Sequence, residues 1–215
     1  MRASSILLVA CVIIGGGTLI AMRPPVRVAA PVVSRTPTPV TAPRAPEVRA
    51  TDPVRGPTPA SHTIIVFSDF TCPSCAAAAQ TLEELRASRA DSLRIVWKDA
   101  PILNRITRSR QLHIAARCAQ VEGRFWEFHD AFFSARPATL EMIDALATTH
   151  IPQRARFDTC RTGTRGASLV DADLHEATAL GLTGTPTIFV DGRLFTDTIT
   201  TEHLTNALAL TSQRR

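Results

Sequence analysis

Two cysteines in the first half of the chain have the spacing and the surroundings of a redox pair. They lie in Cys72-Pro73-Ser74-Cys75, after a β-branched run that predicts a strand and before a stretch of helix-forming composition. The first N–H groups of a helix have no intrahelical partner, so they and the helix dipole favour a negative charge. This position predicts a lowered pKa for Cys72 and makes it the expected nucleophile. Cys75, one turn along, is the expected resolving cysteine.

The C-x-x-C spacing alone is also compatible with a metal site or with a purely structural loop. A structural zinc ion needs four ligands, and the sequence has no second C-x-x-C or C-x-x-H to complete such a set. We therefore expect no metal and no cofactor. Pro73 suits the first turn of the predicted helix, where a missing N–H costs nothing.

A second candidate is Thr185-Pro186, which precedes a predicted strand and ends the segment Gly181-Leu-Thr-Gly-Thr-Pro186. Taken alone, a proline that opens a strand is expected to be trans, because few X–Pro bonds are cis. The C-x-x-C at a strand–helix junction about 110 residues upstream changes that expectation and favours a functional proline.

The elements that must position these residues alternate between strand and helix. We predict strands over Thr63–Ser68, Leu93–Trp97, Thr187–Val190 and Arg193–Phe195. We predict helices over Ser74–Ala90, Arg165–Leu180 and Thr201–Leu210. Between about Asn104 and Gly163 the pattern predicts helices only, and we assign the aromatic residues of 125–133 to core packing. This order predicts an α/β fold.

Three sequence motifs follow one another at plausible spacings. They are Phe67-Ser-Asp-Phe-Thr-Cys-Pro-Ser-Cys75, Phe125-Trp-Glu-Phe-His-Asp130 and Gly184-Thr-Pro-Thr-Ile-Phe-Val190. Together they resemble the motifs of the DsbA-like thioredoxin family, which includes bacterial disulfide oxidases, and the similarity runs from about residue 61 to 211. The resemblance implies a thioredoxin fold with a helical insertion, at about 104–163, between its two halves.

The resemblance also implies a role for each residue of the site. Cys72 matches the family's nucleophilic cysteine, Cys75 its resolving cysteine and Pro186 its cis-proline. Thr185 precedes that proline in a loop that shapes the peptide-binding groove. The tuning dipeptide Pro73-Ser74 departs from the Pro-His of strongly oxidising members. Without the imidazole, Cys72 is expected to be less acidic than theirs, so the direction of electron transfer stays open.

Two further cysteines, Cys118 and Cys160, fall on different helices of the predicted insertion. Buried free thiols are the alternative, but in an oxidising compartment we favour a structural disulfide between them. In the chain-entropy model, closing that loop contributes about 4 kcal/mol, less any strain. Lys98 and Asp99 end the second predicted strand, where we expect solvated charges, and we expect His129 to be a packed histidine.

The N-terminal part of the chain differs in composition from the rest. Ile6–Met22 is a run of 17 residues without charge, at the lower limit for a membrane span. We expect residues 1–22 to be an uncleaved membrane anchor, with a cleaved signal peptide and secretion as the alternative. Residues 23–60 hold ten of the fifteen prolines and show no hydrophobic period. We expect a disordered tether there, before a folded domain at 61–215.

The balance of charge narrows the function classes. The 215 residues carry a formal charge of +5, but the arginines are scattered. We therefore expect no nucleic-acid binding, which requires basic residues concentrated on one face.

Together these features predict an extracytoplasmic protein disulfide oxidoreductase on the periplasmic or cell-envelope side. We expect a monomer, held at the membrane by its N-terminal segment, that introduces disulfides into exported proteins with free thiols. A membrane redox partner would reoxidise it. The alternative within this chemistry is a disulfide reductase or isomerase. The alternative from another class is a peptide- or metal-binding module that has kept the fold.

Overall fold

The described part of the chain is residues 45–101 and 106–213 of a computed structural model. Its strands are β1 (Val54–Arg55), β2 (His62–Ser68), β3 (Leu93–Asp99), β4 (Thr187–Val190) and β5 (Arg193–Phe195). Its helices are α1 (Pro73–Ser88), α2 (Ile106–Gln120), α3 (Phe125–Ser134), α4 (Glu141–His150), α5 (Arg154–Thr162), α6 (Arg165–Ala179) and α7 (Thr201–Ser212).

The strands form one mixed sheet in the order β1-β3-β2-β4-β5. The pair β2 and β3 is parallel and runs in register from His62↔Leu93 to Ser68↔Asp99. A parallel pair needs a crossover connection, and α1 supplies it. All other neighbouring strands are antiparallel. In the central strand β2, every side chain from residue 64 to 68 is buried, as expected of a strand covered on both faces.

Helices α2 to α5 lie in sequence between the β2–α1–β3 half and the later half, which ends in the β4–β5 hairpin and α7. This order confirms the predicted α/β class and the thioredoxin fold with a helical insertion. The aromatic side chains predicted to form core do so, since Phe125, Phe128 and Phe132 are each at most 2% exposed.

Residues 45–60, which we call the N-terminal strap, pack against the domain. Its strand β1 pairs with β3, and the Trp97 N–H donates a hydrogen bond to the Pro53 carbonyl (3.0 Å). Gly56 has a positive φ of 120° and lies so close to β3 that a Cβ would come within 2.4 Å of the Leu93 carbonyl oxygen.

The predicted tether over 23–60 is therefore wrong for residues 45–60, and the expected domain start at residue 61 is too late. The sequence showed no hydrophobic period in this segment because backbone pairing and ion pairs hold it, rather than an apolar face. The expected anchor at 1–22 and the rest of the tether lie outside the described residues and stay predictions. Within the described ranges, no helix has the length and apolar character needed to cross a bilayer.

The charges that end β3 are buried, which corrects the expectation that they are solvated. Lys98 and Asp99 are both 0% exposed. The Lys98 ammonium lies 2.7 Å from an Asp52 carboxylate oxygen of the strap and 2.9 Å from a Glu176 carboxylate oxygen of α6. Buried charges are tolerated when they are paired and hydrogen-bonded, and here the partners come from distant parts of the sequence.

Candidate active site

The junction between β2 and α1 positions both cysteines. Cys72 is the N-cap of α1, and Pro73 follows at the first helical position. The Cys72 N–H donates to the Asp69 carbonyl (3.1 Å), and the Ala76 N–H donates to the Cys72 carbonyl (3.2 Å). Both cysteines are free thiols, and Cys75 is completely buried in the first turn. The predicted helix start is thus where the structure places the pair.

The Thr185-Pro186 segment reaches the cysteines because β4 pairs with β2. In that ladder Thr187 lies opposite Phe67, so the residues just before β4 meet the end of β2. The Thr185–Pro186 peptide bond is cis. The Cys72 thiol lies 3.6 Å from the Thr185 carbonyl oxygen. Two segments more than a hundred residues apart therefore form one site.

The two thiols have opposite acidity. Burial raises the pKa of Cys72, but hydrogen bonds from Ser74, from the Cys75 backbone and thiol, and from Thr185 outweigh it, so the pKa lies below the ordinary value. The Ser74 hydroxyl lies 3.2 Å from the Cys72 sulfur. Burial raises the pKa of Cys75 to about 12. The arrangement therefore makes Cys72 the more readily ionised thiol and keeps Cys75 protonated.

Asp69 is a site residue that the sequence analysis missed. It is 0% exposed, and its backbone N–H contacts the Cys75 sulfur at 3.4 Å. Its carboxylate accepts hydrogen bonds from the Thr71 N–H (2.5 Å), the Thr71 hydroxyl (2.8 Å) and the Ser109 hydroxyl of α2 (2.8 Å). An acidic residue directly after a buried strand and three residues before Cys72 was the available signal. Ser109 gave none.

A chain of buried ionisable groups continues from Asp69 into the molecule. His113 of α2 has Nε2 4.0 Å from an Asp69 carboxylate oxygen and Nδ1 2.6 Å from an Asp99 oxygen. Arg117 contacts the carboxylates of both Asp99 and Asp173. Burial raises the pKa of Asp99, but the Arg117 charge and the His113 hydrogen bond hold it well below its usual range. Asp99 is therefore an ionised, structural carboxylate.

The remaining predicted residues lie apart from the pair. A disulfide joins Cys118 of α2 to Cys160 of α5, with the two Cα atoms 5.7 Å apart, inside the insertion. His129 packs between aromatic rings, 5.0 Å from the Trp97 ring and 4.9 Å from the Phe133 ring, and burial lowers its pKa. Across residues 45–101 and 106–213, no cluster of His, Cys, Asp or Glu is arranged to hold a metal ion.

Fold and site together define the class as proteins of the thioredoxin fold that carry a Cys-x-x-Cys pair at a helix start beside a cis-proline. The chain belongs to the thioredoxin family, since the family model described as Thioredoxin matches residues 49–209. That match begins within the N-terminal strap, in agreement with the corrected domain boundary.

Solved structures agree with this family. BdbD from Bacillus subtilis is similar with a TM-score of 0.69 and 19% identity, over 80% of this chain and 98% of BdbD. The thiol-disulfide exchange protein alpha-DsbA2 from Wolbachia pipientis has a TM-score of 0.66 and 19% identity, over 75% of this chain and 88% of its own. At these identities the similarity concerns the fold, and it confirms the predicted DsbA-like form of the thioredoxin fold.

The curated relatives that match this chain are named as ion antiporters. The Na(+)/H(+) antiporter NhaA 3 of Salinispora tropica is 33% identical over 150 residues, which are 66% of this chain and 22% of the antiporter. The chain spans between 22% and 25% of the curated relatives it matches. Ion antiport therefore stays a property of those longer proteins.

Proposed function

We propose that the chain is an extracytoplasmic enzyme that introduces disulfides into exported proteins by exchange at Cys72 and Cys75. The observation that carries the proposal is the unequal environment of the two thiols. Cys72 opens α1 beside the Thr185–Pro186 loop and has a lowered pKa. Cys75 is buried and has a pKa of about 12. The Cys72 sulfur is therefore suited to act as nucleophile and as leaving group. The Cys75 sulfur is shielded from substrates.

The reaction starts from the Cys72–Cys75 disulfide. A substrate thiolate attacks the Cys72 sulfur, the Cys72–Cys75 bond breaks, and the electron pair leaves on Cys75, which takes up a proton. The second substrate thiolate then attacks the substrate sulfur of the mixed disulfide. Cys72 leaves as a thiolate and the substrate keeps the new disulfide. Two electrons have moved from substrate to enzyme, and a membrane redox partner that accepts two electrons restores the disulfide.

The direction toward oxidation is supported by the groups around the Cys72 sulfur. Hydroxyl and backbone donors favour the thiolate, which exists only in the reduced protein. Stabilising the reduced protein makes the disulfide a stronger oxidant. The Ser74 hydroxyl, 3.2 Å from the Cys72 sulfur, supplies part of the thiolate stabilisation that the family's histidine would supply.

An extracytoplasmic location is supported by two further features. The uncharged run Ile6–Met22 precedes the folded part, and we propose that it anchors the protein in the membrane. The disulfide between Cys118 and Cys160 suits an oxidising compartment, because such bonds are rare where thiols are kept reduced.

Two measurements test the function. Oxidised protein should speed the recovery of activity by reduced, unfolded ribonuclease beyond the rate with glutathione disulfide alone, and Cys72→Ser should not. Equal recovery with wild type and Cys72→Ser would refute the catalytic assignment. Equilibration of the pair with glutathione separates the directions: a potential as low as that of thioredoxin, about −270 mV, would identify a reductase instead.

A further inference from the structure

Two adjoining cavities follow one side of α1 from the reactive cysteine, and we call them together the slot. A cavity of about 230 Å³ lies against Cys72 and Pro73, bounded by the residues after α3. A second cavity of about 470 Å³ lies between α1, α3 and the sheet. The two cavities share Ala76, Phe133 and Arg136 among their lining residues, so they adjoin each other along α1.

The slot has the length of a short peptide segment. Its wall on α1 extends from Cys72 to Glu83. At a rise of 1.5 Å per residue, that is about 16 Å along the helix. An extended chain advances about 3.3 Å per residue, so about five residues of substrate match this length.

The end of the slot near Cys72 carries uncommitted positive charge. Arg108 and Arg136 line it, both are exposed, and neither forms an ion pair with another residue of the described ranges. No carboxylate is among the described residues that line this cavity. At the far end, by contrast, Arg55 is already paired with Glu83 (3.1 Å) and with a carboxylate of α3 (2.6 Å).

The larger cavity of the slot is lined by four aromatic rings together with aliphatic and polar side chains. Trp97, Trp126, His129 and Phe133 form its walls. Both indole N–H groups are already engaged, since Trp97 Nε1 donates to Asp99 (2.8 Å) and Trp126 Nε1 donates to the Val54 carbonyl (3.1 Å), and His129 Nδ1 contacts a neighbouring carboxylate (2.8 Å). What the rings present to the cavity therefore suits an aromatic or aliphatic side chain.

We propose that this slot binds the substrate segment next to the reactive cysteine, and that it selects an acidic residue followed by an aromatic or aliphatic one. The inference rests on the proposed exchange at Cys72, because a mixed disulfide there places the flanking substrate residues at the slot. Guanidinium groups pair with carboxylates in two parallel hydrogen bonds, so Arg108 and Arg136 are the specificity residues for the acidic position.

Peptides with one variable residue test the acidic position. Reduced peptides with Glu, Gln or Lys two residues from a cysteine are mixed with oxidised protein, and kcat/KM for mixed-disulfide formation is measured. The Glu peptide should exceed the Gln peptide by about two- to fivefold per arginine, the range that an exposed ion pair supplies, and salt should reduce the difference. Arg108→Glu and Arg136→Glu should each abolish or reverse the preference.

A matched control carries the same change of charge elsewhere. Arg193 is exposed in β5, where it pairs with Val190 at the end of β4 that is far from Pro186, and Arg193→Glu should leave the preference unchanged. An equal loss of preference in Arg193→Glu would show that the preference for the Glu peptide comes from net charge, and would overturn the proposal that the slot selects the acidic residue. Exchange at one rate with all three peptides would overturn the inference while leaving the proposed function intact. No exchange with any peptide would overturn the proposed function itself.

A second pair of variants tests the aromatic part. Ala79→Phe fills the slot and should raise KM several-fold for a peptide with tryptophan after the acidic residue, but not for its alanine counterpart. Ala77→Phe is the control, because Ala77 is exposed and does not line the slot. Equal KM values for wild type and Ala79→Phe with the tryptophan peptide would refute this part.

Discussion

Replacing Ser74 with alanine should make the cysteine pair a weaker oxidant. The Ser74 hydroxyl lies 3.2 Å from the Cys72 sulfur and helps to lower the pKa of that thiol. The variant loses this donor, so the pKa of Cys72 rises and the reduced protein is destabilised. The disulfide form has no charge at Cys72 and is hardly affected. The equilibrium therefore shifts toward the disulfide, and the reduction potential becomes more negative.

The size of the effect follows from the exposure of the hydroxyl. A hydrogen bond to a charged group contributes about 1.5–3 kcal/mol. Ser74 is exposed, so water replaces part of the lost bond, and we expect about 1 kcal/mol. That energy corresponds to about a fivefold change in the equilibrium constant with glutathione and to about 20 mV.

The assay equilibrates each variant in glutathione buffers at pH 7, traps free thiols by alkylation and counts them by mass spectrometry. A parallel pH titration of thiolate absorbance checks that the pKa of Cys72 has risen. Ser74→Thr is the matched control, because it keeps a hydroxyl and should stay close to wild type. An unchanged equilibrium constant in Ser74→Ala, or a shift toward the dithiol, would refute the reasoning.

Three further predictions concern the surroundings of the pair. Deleting residues 45–60 should lower the free energy of unfolding by about 3 kcal/mol relative to a chain that begins at residue 45, because Lys98 loses a buried partner. Equal denaturant midpoints for the two chains would contradict this. Replacing both Cys118 and Cys160 with alanine should cost up to about 4 kcal/mol and leave peptide exchange unchanged, whereas two free thiols on mapping native protein would disprove the bond. Asp69→Ala should cost about 1–3 kcal/mol in denaturant unfolding, with Asp69→Asn less affected, since only the alanine removes the buried acceptor.

The part of the site that the sequence predicted is the part encoded locally. Cys72 and Cys75 lie where a β-branched run meets helix-forming residues, and both patterns are read over a few positions. Pro186 was predicted for a different reason. Nothing local marks it as cis, and the expectation came from its place in a set of motifs. The bond between Cys118 and Cys160 was predicted on another basis, the expected oxidising compartment, and two helices of the insertion bring these cysteines together.

The residues that the sequence did not reveal depend on long-range pairing of polar groups. The ammonium group of Lys98 is buried because Asp52 and Glu176, from opposite ends of the folded part, converge on it. Hydrophobic periodicity indicates which face of an element is apolar. It gives no information about charged side chains that are buried in pairs. The same limit concealed the strap over 45–60, whose prolines suggested a tether. Asp69 was overlooked because its hydrogen-bond partner Ser109 lies on α2.

The lowered pKa of Cys72 ties the redox chemistry to stability. In the folded, reduced protein the thiolate is favoured relative to the unfolded chain, so it contributes stability above the ordinary thiol pKa. That contribution is lost as the pH falls through the lowered pKa. The pKa of Cys75 is raised to about 12, so this thiol lowers the stability of the folded, reduced protein instead. It does so only above the ordinary thiol pKa. Where the pH lies above the lowered pKa of Cys72, the donors around this thiol therefore stabilise the reduced form, and by the same free energy they make the disulfide a stronger oxidant.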